Sequence, residues 1–277
     1  MKNDIVIIGG GAAGLMTALA LAERQKKATV LSAATLGESC SSALAQGGLA
    51  AAVDESDSPA LHAADTLKAA AGTADREAVA ALVADAPEAV ALLARLGVAF
   101  DRDGSGKFRL NREACHARRR VLKARAGDGF GRELMRALVA AVRNTPAIAV
   151  IENVAAERLI VREKRVTGVM TGTGAISAGA VVLATGGLGG LYAATTNPLS
   201  SVGRGIALAA RAGALLSDLE FVQFHPTALD IGEDPAPLAS EALRGDGALL
   251  LNSRGERFMA NYHPMGDLAP RDVVSRA

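Results

Sequence analysis

Tryptophan is absent from this sequence, tyrosine occurs twice and phenylalanine six times. So thin an aromatic set leaves no stacking platform for single-stranded nucleic acid. An excess of one charge sign is missing as well: 30 basic residues face 29 acidic ones, for a net charge of +1. No global field therefore directs the chain to DNA, RNA or an anionic membrane surface. Only two cysteines occur, Cys40 and Cys115, and neither has metal-ligand spacing around it. That pattern excludes a disulfide framework, gives no metal site, and fits a reducing cytoplasm. Long apolar runs are lacking too, so no membrane anchor is expected. The opening MKNDIVIIGG breaks at glycine without a cleavage-site pattern and reads as a strand, not a signal peptide. There is no internal repeat and no low-complexity tail.

Half of the 277 residues are hydrophobic and 21% are charged, enough for a sizeable core in one large domain or two smaller ones. The β-branched run Ile5–Ile8 predicts a buried strand, the apolar spacing of Leu15, Leu19 and Ala22 a helix over Ala13–Arg24, and Ala28–Leu31 a second strand. Strand, glycine turn, helix and strand within about thirty residues make a βαβ unit, which favours a parallel sheet. Ser32–Val53 is small and polar and reads as a loop. Helices are predicted over Pro59–Ala71, Arg76–Leu96, Gly131–Val142 and Val202–Ala212, and a turn over Asp101–Lys107. Strands are predicted at Ile148–Ile151, Arg158–Val161, Val166–Met170 and Ala180–Ala184.

Gly9-Gly10-Gly11-Ala12-Ala13-Gly14 satisfies G-x-G-x-x-G directly after a strand and at the start of a helix, the context that gives this pattern meaning. Gly9 permits the tight turn, Gly11 admits a pyrophosphate against the backbone, and Gly14 allows close helix–strand packing. The helix N-terminus adds partial positive charge toward the phosphates. The acidic residue that commonly holds a ribose at the end of the second strand is here Ser32. A second signal is VVLATGG (Val181–Gly187), an apolar strand ending in small residues; together with GGGAAG it favours a flavin over a nicotinamide cofactor.

Six further stretches carry a family resemblance: SSALAQGGLAA from Ser41, LNREACHARRRVL from Leu110, TTNPLSSVGRG from Thr195, LEFVQFHPTAL from Leu219, SEALRGDGALLLNSRGERFM from Ser240, and LAPRDVVSRA from Leu268. In this order the sequence resembles the fumarate reductase/succinate dehydrogenase flavoprotein family, and within it the branch that oxidises L-aspartate. The resemblance implies an α/β fold: a Rossmann-like FAD-binding domain with a parallel sheet over 1–217, then the start of an inserted α+β capping domain over 218–277.

The resemblance also implies site roles. FAD would contact Gly9, Gly10, Gly11, Ala12, Ala13, Gly14, Ser32, Ser41, Ser42, Ala45, Gln46, Gly47, Gly48, Val154, Ala184, Thr185 and Gly186. Ser41 stands where membrane-bound members carry the flavin-linking His, which implies non-covalent FAD. Glu113, in NREACHARRR, would face the substrate amine, and a carboxylate there favours an ammonium ligand over succinate. Gln223 and His225 lie two apart, so on a strand they would share a face and donate to one substrate carboxylate. Thr227 and Ser240 would add hydrogen bonds, and Arg271 would transfer a proton or polarise the substrate. A guanidinium in that role needs a partner for its charge, here Glu241 or Asp272. Arg244 reads as structural. The implied reaction is FAD-dependent oxidation of L-aspartate to iminoaspartate with dioxygen or fumarate as acceptor, on the quinolinate route to NAD, with quinolinate synthase as a partner. The alternatives are a soluble fumarate reductase/succinate dehydrogenase-like flavoprotein and an FAD-binding fragment without activity.

Four departures from the family pattern stand out. Ala33 replaces a Lys, Phe130 a Thr, and Arg204 the Asp of a GDG motif; Ala114 and Cys115 replace two glycines. The chain also ends on DVVSRA, a helical run with no Gly or Pro stop. That ending is expected to fall inside the capping domain.

Overall fold

The computed structural model describes residues 3–113, 115–124, 129–239, 241–245 and 247–277. Strand β1 (Asn3–Ile8) leads through the glycine turn into α1 (Ala12–Glu23) and back to β2 (Ala28–Leu31). One helical turn, α2 (Ser41–Leu44), and the short strand β3 (Leu49–Ala50) precede helices α3 (Pro59–Ala69) and α4 (Arg76–Arg95). Two more short strands, β4 (Leu110–Asn111) and β5 (Val121–Leu122), lead to α5 (Phe130–Arg143). Four strands follow: β6 (Ile148–Ile151), β7 (Ala156–Arg162), β8 (Arg165–Thr171) and β9 (Gly174–Leu183). Helices α6 (Arg204–Arg211), α7 (Glu241–Gly245) and α8 (Arg271–Arg276) punctuate the remainder.

These elements gather into two compact units, each discontinuous in sequence. The first takes residues 1–45, 131–222 and 232–236; the second takes 46–130, 223–231 and 237–277. The long stretch from Gln46 to Phe130 thus belongs to the same compact unit as the C-terminal residues.

The first unit is built on a six-stranded sheet of order β6-β2-β1-β9-β8-β7. Four neighbours, β6, β2, β1 and β9, run parallel, as the βαβ pattern requires. Val6, Ile7, Val30 and Leu31 are almost fully buried, which is why these strands read as continuous apolar runs without alternation. Helix α1 buries Gly14, Leu15, Ala18 and Leu19, the i, i+1, i+4, i+5 stripe of a sheet-facing helix. Leu159, Val169 and Leu208 close the same core around Val6, Ile8 and Leu31. Beyond the parallel part, β7, β8 and β9 form an antiparallel meander. The sequence understates β9, because its first residues, GAISAGA, are too small to show a strand period.

In the second unit α3 and α4 pack as a helical hairpin. Ser58 caps α3 by accepting from the Leu61 N–H, with Pro59 at the first helical position, and Asp75 caps α4 by accepting from Glu77 and Ala78. Val79, Val83, Val90 and Leu93 form the buried stripe of α4. A small antiparallel sheet of order β3-β5-β4 lies in this unit. The expected Ser32–Val53 loop therefore contains a helical turn and a strand. Near the C-terminus Met259, Ala269 and Val274 make a separate small core.

Candidate functional site

The first unit contains a cavity of about 710 Å³ at the carboxyl ends of β1, β2 and β9. Crevices at this end of an open α/β sheet are where such folds take ligands. Of the residues expected to contact FAD, Gly9, Gly10, Gly11, Ala12, Ala13, Ser32, Ser41, Ser42, Val154, Ala184, Thr185 and Gly186 line this cavity. Backbone approach explains the glycines. A Cβ on Gly9, whose φ is +124°, would sit 2.1 Å from the Ala184 carbonyl oxygen, and one on Gly14 would sit 2.0 Å from the Gly9 carbonyl oxygen. Gly14 is therefore a packing residue under the turn and does not line the cavity. Gly11 is the N-cap of α1 and caps it with no side chain; the Ser42 hydroxyl accepts from the Ala12 N–H at 3.1 Å.

An elongated cofactor with two phosphates fits this donor set: a helix N-terminus opened by glycine, several serine hydroxyls, and apolar walls from Leu31, Leu183, Ile206 and Leu208. Glu38 and Arg204 are the charged groups on its lining. Arg204 thus faces the cavity from the first residue of α6. The close fit there comes from Gly205, where a Cβ would fall 1.7 Å from the Thr185 hydroxyl oxygen. Sequence reasoning missed Glu38, Ser39 and the Ser200–Ser201 pair; the polar run ESCSS at 38–42 was the available signal.

Ala45, Gln46, Gly47 and Gly48 do not line this cavity. Ala45 ends α2, where its carbonyl accepts from the Gly131 N–H at 2.8 Å. Gln46 to Gly48 belong to the second unit, where they enter β3. Gly48, at φ +134°, lies so close to β5 that a Cβ would be 2.3 Å from the Leu122 carbonyl oxygen. A Cβ on Gly47 would be 3.6 Å from one Glu113 carboxylate oxygen and 3.7 Å from the other. Within this unit, then, Gly47 and Glu113 come together beside the β3-β5-β4 sheet. Cys115 sits at φ +69°, a region that favours glycine, so the exchange of glycine for cysteine falls on a strained position.

Behind the Glu113 loop lies a buried charge cluster. Arg120 is fully buried; its Nε and Nη2 donate to the two Asp57 oxygens at 2.7 and 2.9 Å, and its Nη1 donates to Asp65 Oδ2 at 2.7 Å. The same Asp65 oxygen accepts from the Ala117 N–H at 2.8 Å. His116 Nδ1 is 3.3 Å from Arg120 Nη1, and the His62 ring lies 5.7 Å from the His116 ring. Burial pushes the Asp57 carboxyl up, but the Arg120 and Ser58 hydrogen bonds outweigh it and hold the group below its ordinary range. Asp65 behaves alike, with burial opposed by the Ala117 N–H and Arg120. Both imidazoles are held below their usual pKa, first by burial and then by the neighbouring guanidinium, so they are neutral at pH 7.

The remaining candidates lie toward the C-terminus of the second unit. Gln223 and His225 are not on a strand: the 221–225 stretch has no sheet pairing. Pro226 has no N–H to donate to a ladder, and His225 Nδ1 accepts from the Thr227 N–H at 3.2 Å, closing a turn instead. The shared-face argument for Gln223 and His225 is thereby corrected. Thr227 Oγ1 donates to the Ala239 carbonyl at 2.8 Å. Ser240 lies outside the described residues, as does the side chain of Glu241, whose backbone opens α7. Arg244 is buried and donates through Nη1 to the carbonyls of Asp267 and Ala269 at 2.7 and 3.4 Å, fixing the chain just before Arg271. Arg271 opens α8 in a half-buried position, while Asp272 pairs with Arg276 one turn on.

No helix among the described residues is long and apolar enough to cross a membrane. A family model described as an FAD binding domain matches residues 4–277. The L-aspartate oxidase of Caulobacter vibrioides is 55% identical across 98% of this chain and 54% of its own length. That of Mesorhizobium japonicum is 54% identical across 98% of this chain and 53% of its own. The chain thus spans about half the length of the curated relatives it matches. Among solved structures, a variant of the E. coli quinol fumarate reductase FrdA superposes with a TM-score of 0.92 at 29% identity, over all of this chain and 50% of that one. Mycobacterium smegmatis Sdh1 in complex with UQ1 gives a TM-score of 0.84 at 32% identity, over all of this chain and 49% of that one.

Proposed function

The chain belongs to the FAD binding domain family, and from that premise we infer that it contributes the non-covalent FAD site and part of the substrate site of an enzyme that oxidises L-aspartate to iminoaspartate. The observation that carries the reading is the Glu113 carboxylate beside Gly47, on the sheet that joins the AQGG and NREACH segments. A carboxylate at an amine position favours an ammonium-bearing dicarboxylate and repels nothing but a further negative charge. Similarity to proteins named L-aspartate oxidase supports the same substrate.

In this reading residues 1–217 serve the cofactor and 218–277 begin the substrate cap. FAD, when bound, supplies the two-electron acceptor, while the chain supplies binding and orientation. Among the described residues no histidine lines the cavity that would hold it, and Ser41 does line it, which supports non-covalent attachment. The pyrophosphate would lie at the N-terminus of α1 beside Ser42 and the ribose near Ser32. Gln223, His225 and Ser240 would donate to substrate carboxylates, and Thr227, whose N–H and hydroxyl are engaged by His225 and the Ala239 carbonyl, would brace His225 beside them. Arg271, with Glu241 as its charge partner, would polarise the substrate and move a proton. Asp272 is the weaker of the two partners because Arg276 engages it. Dioxygen or fumarate would take the electrons onward, and quinolinate synthase in the cytoplasm would consume the product.

Hydrogen peroxide release tests the reading. The FAD-loaded protein should produce peroxide with L-aspartate and not with succinate, and Glu113→Gln should lower the aspartate signal at least about tenfold. Peroxide or dye reduction with succinate alone would assign the chain to succinate–fumarate chemistry. A flavin-loaded chain inert to both would be a binding fragment.

A further inference from the structure

The charges around Arg120 have no part in the reading given above, yet they bracket Glu113. The loop from Asn111 to Arg120 is closed at its base by the Arg120 N–H, which donates to the Asn111 carbonyl at 3.1 Å. Its far limb is tied by Asp65, one carboxylate oxygen of which accepts from both Arg120 Nη1 and the Ala117 N–H. Inside the loop the His116 N–H donates to the Glu113 carbonyl at 3.2 Å, and Arg112 Nε donates to the His116 carbonyl at 3.1 Å. Glu113 thus lies in a loop whose far limb is fixed to the half-buried Asp65 carboxylate.

Apolar side chains would fill this volume at less cost, because a desolvated ion cluster is no better for stability than good packing. What the cluster offers is directional geometry. Three guanidinium bonds and two backbone bonds, from Ser58 and Ala117, converge on two carboxylates, and they leave little freedom to the loop they hold.

We propose that the cluster of Asp57, Asp65, Arg120 and His116 is a positioning device for Glu113, through which the second unit selects an amino dicarboxylate over its deaminated analogue. The inference rests on the reading of Glu113 given above. Asp65 is the central positioning residue, since it alone bonds both the guanidinium and the loop backbone. His62, buried against His116 with no hydrogen-bond partner for its Nδ1 among the described residues, fixes the imidazole from behind.

The test is calorimetric titration of L-aspartate and of succinate into the FAD-loaded protein, with the flavin held reduced by dithionite under nitrogen so that neither ligand turns over. Glu113→Gln should weaken L-aspartate about tenfold or more and succinate by less than about twofold. Asp65→Asn should reproduce that selective loss, since a displacement of about 1 Å suffices for it. The double variant should lose no more than either single one. Should Asp65→Asn fail to fold, His116→Gln carries the same expectation, with faster amide exchange over residues 115–117. Equal weakening of both ligands by Asp65→Asn or its substitute, or weakening of neither, would overturn the positioning role while leaving Glu113 its own. If Glu113→Gln leaves L-aspartate binding unchanged, or the parent binds neither ligand, the reading of Glu113 fails and the proposal falls with it.

Discussion

Replacing Arg120 with methionine removes the guanidinium and keeps roughly its volume. Three charge-assisted bonds of 2.7 to 2.9 Å disappear, and two carboxylates with side-chain exposures of 1% and 15% lose their counter-charge. Breaking a buried pair from one side costs about 3–5 kcal/mol. A domain has only about 5–15 kcal/mol of stability to lose. The cost should also depend on pH. Without the guanidinium, burial is opposed chiefly by the Ser58 and Ala117 N–H bonds, so the folded pKa values of Asp57 and Asp65 rise from their present lowered positions. Such a penalty is largest at neutral pH and shrinks as the carboxyls protonate, by about 1.4 kcal/mol for each unit of raised pKa. Urea unfolding followed by amide exchange in peptides spanning 55–66 and 110–122 would read this locally. The control is Arg136→Met, whose exposed pair with Glu133 is worth about 0.3–0.5 kcal/mol. A loss below about 1 kcal/mol at pH 7, or a deficit that does not narrow at lower pH, would refute the reasoning.

Gly14→Ala should weaken FAD retention, since its Cβ would lie 2.0 Å from the Gly9 carbonyl oxygen; flavin fluorescence quenching should show affinity weaker by at least about tenfold. His62 and His116 have folded pKa values below the ordinary one, so the stability they contribute is present above about pH 6.5 and is lost as pH falls through their folded values. Proton NMR of the imidazoles should place both midpoints below those of a denatured sample, and a midpoint above them would contradict the burial argument. Cys115→Gly relieves a side chain at φ +69° and should stabilise the Glu113 loop by up to about 1 kcal/mol, read from slower amide exchange there.

The cofactor end was legible because its chemistry is local. A buried β-branched strand, three spaced glycines and an apolar helix specify the turn, and Gly9 to Ala13 line the cavity beside it. Where the signal was tertiary, the sequence was silent. Strands β3, β4 and β5 hold two residues each and have no measurable period, so nothing announced the sheet that brings Gly47 to Glu113. Arg118, Arg119 and Arg120 read as one basic run, yet the first two are exposed and the third is fully buried, a difference set by Asp57 and Asp65 more than fifty positions earlier. FVQFHPT has the alternation of a strand, and Pro226 turns it into a loop. Residues Gln46–Phe130 join the second compact unit through contacts that chain order does not foretell.

The central claim is that this chain holds FAD non-covalently and presents it to an amino dicarboxylate. Anaerobic addition of L-aspartate to the flavin-loaded protein tests it most directly. The account predicts that the visible flavin absorbance bleaches with L-aspartate, stays unchanged with succinate, and that the flavin is released intact by acid precipitation. Bleaching by succinate but not L-aspartate, or flavin that remains attached to the precipitated chain, would contradict it.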